Sequence, residues 1–160
     1  MARVIIEDYQ IVGRSWALWL RTVLLGITTG LTFWILTTLI GHYVIEPLTC
    51  KQVITAATCT NANLLAGNIA TILVAVIAII GMVRLRIARP IVIAVASAAL
   101  LWDLAAWTQG LFWLEAIGWS LLLYGVVFGL FAWITRYATL WVALVLSLVI
   151  VLVIRVGLIL

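Results

Sequence analysis

Residues 91–134 read IVIAVASAALLWDLAAWTQGLFWLEAIGWSLLLYGVVFGLFAWI, an apolar block whose only polar break is Thr108-Gln109-Gly110. As a single helix this block would be about 66 Å long at 1.5 Å per residue, twice the roughly 30 Å of a bilayer's hydrocarbon core. It must fold back. Gly110 suits the residue just past a helix C-terminus, so two spans, 91–107 and 112–134, are expected to meet in a tight hairpin. A re-entrant pair is the alternative.

Three more apolar runs flank this block, at 16–40, 64–83 and 140–158. They are continuous and lack the alternation of a membrane β-barrel. The expected fold is therefore all-α: one integral membrane domain over 1–160, a polytopic helical bundle of five transmembrane helices. Composition agrees. Hydrophobic residues make up 68% of the chain and charged residues 9%, against about 45–50% and 25% in a soluble domain. That balance excludes a soluble globular fold, a disordered chain, a disulfide-dense toxin and a nucleic-acid-binding module.

The net charge of +4 reports topology. With the N-terminus cytoplasmic, Arg3, Arg14, Arg21, Arg84, Arg86, Arg89 and Arg136 fall inside, and only Lys51 and Arg155 fall outside. This is the positive-inside asymmetry of a plasma-membrane protein, and five spans place the C-terminus outside. Trp16, Trp19, Trp133, Tyr137 and Trp141 form an inner aromatic belt, with Tyr43, Trp107, Phe112 and Trp113 as an outer one. Residues 2–14, with Ile5, Tyr9, Val12 and Trp16 on one stripe, suit a short interfacial helix before an uncleaved anchor. Ser15, Asn61 or Asn63, and Pro90 are the expected start signals of the first three spans.

The outer loop, 41–63, holds both cysteines. On an oxidising exterior a Cys50–Cys59 disulfide is expected, closing a small loop worth about 2–3 kcal/mol. A thiol-disulfide enzyme is disfavoured, because eight residues separate the pair where such enzymes offer C-x-x-C and no second pair exists to pass electrons on. His42 and Glu46 share a helical face there, but with Cys50 they do not make a metal set of known spacing.

Three ionisable groups lie at membrane depth. Asp103 is about 20 Å along the third span and Arg155 about 24 Å along the fifth, both in the outer third. A charge there costs a few kcal/mol unless it pairs or snorkels. Asp103 and Arg155 are expected either to pair, making the third and fifth spans neighbours, or each to reach the outer interface. Glu115, in the first turn of the fourth span, heads a stripe with Gly118, Leu122, Gly125 and Gly129, and Arg155 is its alternative partner.

Small residues mark packing seams. The first span carries Gly26 and Gly30, the second Gly67 and Gly81, the fourth Gly118, Gly125 and Gly129. The Ala-rich third span is expected at the centre, and the large aliphatic fifth against lipid. No nucleotide, metalloprotease or hydrolase motif is present, so no catalytic residue, cofactor or metal is assigned. The expected function is a non-enzymatic accessory, assembly or scaffold subunit, whose partners are the lipid bilayer and other membrane subunits or copies of itself. A small oligomeric transporter or channel using Asp103 or Glu115 is the alternative.

Overall fold

In hydrocarbon a backbone must satisfy its own polar groups, which a helix does within one segment. Every regular element among the described residues is helical. The computed structural model describes the backbone of residues 2–49, 56–87, 89–137 and 140–159, and the side chains of 16–48, 63–87, 89–135, 141–154 and 156. Among the described residues three helices are long and apolar enough to cross a membrane, over Trp16–Leu48, Asn63–Arg84 and Trp113–Thr135.

The first helix, α1 (Ala2–Ile40), is unbroken. A separate interfacial helix and a cap at Ser15 do not occur. A lone Gly13 costs about 1 kcal/mol inside a helix, and no proline is near to add to it. The chain continues through a π turn, Gly41–Ile45, into α2 (Glu46–Thr49). Pro47 accounts for the wider turn. It lacks an N–H, and its ring presses on the carbonyl four residues back, which the π turn moves aside. Pro47 thus widens the helix and does not end it. Next, α3 (Ala56–Arg84) begins before Asn61 and Asn63, which lie inside it. Much of the expected 41–63 loop is therefore helix.

The end of α3 is closed by two 3.0 Å bonds, from the Ile87 N–H to the Met82 carbonyl and from the Arg86 N–H to the Val83 carbonyl. This is the Schellman pattern, and it puts Arg86 in the left-handed position (φ 54°) where glycine is usual. Arg89, also left-handed, precedes α4 (Pro90–Leu100), with Pro90 in its first turn. At 11 residues α4 is about 16 Å long. The chain turns at 101–103 and resumes as α5 (Leu104–Trp107), so the expected continuous helix over 91–107 is broken. Gly110 (φ 84°) turns the chain through 108–112. From there α6 (Trp113–Tyr137) returns, and α7 (Leu140–Ile159) follows.

The most extensive contact is between α1 and α6; α3 packs on α1, α4 and α5, and α4 also on α6 and α7. The core runs through Phe33, Val74, Met82, Ile93, Leu100, Leu104, Phe128 and Phe131. Within it α4 buries Ile93, Ala94, Ala96, Ser97 and Leu100. Small side chains let a short helix sit among three neighbours. Among the described side chains of α7, only Ala143 and Ser147 are buried, with Ile150 and Val151 packed partly against the core.

Arg86 gives a direct test of the α3 closure. A left-handed conformation costs a non-glycine residue roughly 1–2 kcal/mol, and β-branched residues tolerate it least. Thermal unfolding in detergent should rank Arg86→Gly at or above the native chain and Arg86→Val below it.

Candidate functional site

The structure sets Gly26 of α1 against Gly125 of α6, with Gly30 against Ser120 and Gly129 against Val23 along the same seam. A Cβ added to Gly26 would stand 2.7 Å from the Tyr124 carbonyl oxygen, and one on Gly30 would collide with the Ser120 backbone. On the facing helix, a Cβ on Gly125 would meet Ile27 at 2.9 Å, and one on Gly129 would meet Val23 at the same distance. Residues 23, 26 and 30 thus descend α1 as 129, 125 and 120 ascend α6, so the helices are antiparallel with backbones in contact. Trp19 adds a bond across the seam, donating from Nε1 to the Gly129 carbonyl at 3.1 Å. An inner-belt tryptophan is therefore also a helix clamp. Gly67 packs its Cα against Ala105 of α5, and Gly81 faces Leu25 of α1.

Threonine and serine hydroxyls near these contacts bond within their own helices, while the buried Tyr124 hydroxyl has no partner among the described residues. Thr22 donates to the Leu18 carbonyl, Thr29 to Leu25, Thr71 to Gly67, Ser97 to Ile93 and Ser120 to Ala116, all at 2.6–2.9 Å. The seams are held by close packing, with these hydroxyls turned back on their own helices' carbonyls.

Gly118 and Glu115 stand apart from the seam. A Cβ on Gly118 would meet nothing within 4 Å, and Glu115 is exposed. The buried face of α6 runs through Ala116, Ser120, Tyr124, Phe128 and Phe131. The glycines mark its margin with α1, so an arc centred on them points too far round.

Past Gly30 and Ser120 the two helices diverge around bulkier side chains. The gap is a cavity of about 680 Å³ at the hairpin end of the bundle. Trp34, Thr37 and Thr38 of α1, Asn63 of α3, Thr108 to Leu111 of the hairpin, and Trp113 of α6 line it. Thr38 and Thr108 bond backbone carbonyls of their own helices. The buried Thr37 Oγ1 has no hydrogen-bond partner among the described residues. Sequence reasoning missed this site. Trp113 reads as a belt residue and Asn63 as a cap, and no single-helix pattern reveals a gap between two helices.

Asp103 is half-buried at the break between α4 and α5, at the N-cap of α5. Its side chain makes no cap hydrogen bond to α5. The Arg155 side chain lies outside the described residues, and the expected Asp103–Arg155 pair with it. Cys50 and the Cys59 side chain also lie outside them. His42 Nδ1 and Glu46 Oε2 meet at 2.8 Å on an exposed face. Among the described residues no three His, Cys, Asp or Glu side chains gather as a metal set. At the opposite end Arg89 donates to the Thr135 carbonyl at 3.4 Å, tying the start of α4 to the end of α6.

This architecture defines a class: an all-helical bundle with three helices able to cross a membrane. No family model, curated protein or solved structure matches the chain.

The seam predicts opposite effects for two glycines on either side of it. Gly30→Ala should destabilise by about 3 kcal/mol, because overpacking meets backbone. Gly118→Ala should stabilise by about 0.5–1 kcal/mol, as in any open helix interior. Unfolding midpoints of the two variants in one detergent check this.

Proposed function

We propose that the protein is a multi-pass membrane protein of the plasma membrane that serves as a non-enzymatic accessory, assembly or scaffold subunit. In this reading the chain crosses five times, α4 and α5 together forming the third crossing and α7 the fifth. The N-terminus is cytoplasmic, the C-terminus outside, and a Cys50–Cys59 disulfide closes the outer connection. The observation that carries the reading is the contrast between seams and faces. Where helices meet, glycine brings backbones into contact, which favours a fixed shape. Elsewhere they present continuous large apolar side chains, such as Val142, Val145, Leu148, Val149, Leu152 and Val153 on α7, suited to lipid or to another membrane helix.

A second reading, a small oligomeric transporter or channel, is favoured by one feature. The third crossing is discontinuous at its acidic residue, and broken helices with ionisable groups form ion and substrate sites in transporters.

Mild detergent extraction followed by native mass analysis separates the two. The subunit reading predicts a stoichiometric partner or a defined homo-oligomer. A bare monomer, together with liposome flux that falls in Asp103→Asn, contradicts it and supports transport. For topology, in a Cys50→Ser/Cys59→Ser background, Leu160→Cys should react with an impermeant maleimide on intact cells and Ala2→Cys should not. Alkylation of the native chain should find free thiols only after reduction.

A further inference from the structure

We propose that the cavity between α1, α3, the hairpin and α6 binds a neutral, polyhydroxylated group such as the sugar of a glycolipid headgroup. This goes beyond the subunit reading and does not depend on it.

The lining decides the chemistry. Among the described residues no charged side chain borders the cavity, which favours a neutral group over an ion that would give up water without a counter-charge. What borders it is two indoles, Trp34 and Trp113, and two amides, Asn63 and Gln109, together with Thr37. Thr38 and Thr108 already bond backbone carbonyls and the Thr37 hydroxyl is enclosed in the packing, so the two amides carry the polar contacts. Indole faces suit the apolar C–H faces of a sugar ring. Amides supply the paired donors and acceptors that vicinal hydroxyls require. The volume, about 680 Å³, lies within the range of small-ligand sites, about 300–1,000 Å³. The mouth lies at the level of exposed Trp107, Phe112 and Trp113, aromatic residues of the kind that settle at lipid headgroups. A free sugar and a glycolipid offer the same group, and the experiment distinguishes them.

The full chain is placed in nanodiscs of phosphatidylcholine, phosphatidylglycerol and monoglucosyl diacylglycerol in equal parts, then released for native mass analysis of retained lipid. The proposal predicts about tenfold preference for the glucosyl lipid over either phospholipid, the value of two hydrogen bonds. Asn63→Leu/Gln109→Leu should abolish the preference. Gln109→Glu, an exposed hairpin change that leaves the bundle's packing alone, should also abolish it by placing a charge at the wall. Displacement of the glucosyl lipid by millimolar methyl glucoside identifies a free-sugar site, and resistance to displacement identifies a glycolipid site. Equal retention of all three lipids, or a preference unchanged in Gln109→Glu, overturns the proposal.

Discussion

The structure depends on one close approach, that of α1 to α6. Their backbones touch where Gly26 meets Tyr124 and Gly125 and where Gly30 meets Ser120 and Leu121, while Gly125 and Gly129 make room for Ile27 and Val23. In lipid there is little hydrophobic drive to join two apolar helices, and association rests on van der Waals packing and on interhelical hydrogen bonds. Four residues without a Cβ provide the first, and the Trp19 bond to Gly129 the second. The other helices are arranged around this pair. Behind α1, α3 packs with Gly81 facing Leu25. The short α4 fits between α3 and α6, and α7 attaches to its outer side through Ala143 and Ser147.

The same contact leads into an opening in the bundle. Tight at Gly30, the seam gives way to a gap lined by Trp34 and Trp113, with the four residues of α5 beside it. Gly67 draws α5 against α3 through Ala105, which holds the break on that side. Cavity and seam are thus two results of one sequence pattern, Gly26 and Gly30 on α1 followed one turn on by the indole of Trp34.

Several of these features were legible in the sequence because they follow from length or from a single residue's geometry. The block 91–134 is too long for one crossing, and Gly110 turns it where the polar break stands. Pro90 starts α4 because its fixed φ suits a first turn. Helix ends between 41 and 63 were not legible, because hydropathy reports depth in the membrane while polar turns continue the helix beyond it. Asp103 reads as a charge at depth, yet its position at a cap shows that it also marks where the helix breaks. The place of Gly118 was misleading for another reason: glycine periodicity finds the seam's margin, and where the neighbouring helix departs is a tertiary fact.

Cross-linking tests the antiparallel seam most directly. In a chain with Cys50 and Cys59 replaced by serine, Val23→Cys paired with Gly129→Cys should oxidise readily to a disulfide, since that bond requires Cα atoms about 4.4–6.8 Å apart. Val23→Cys paired with Gly118→Cys should not. Bonding of 23 to 118, or the absence of a bond between 23 and 129 in folded protein, would contradict the account.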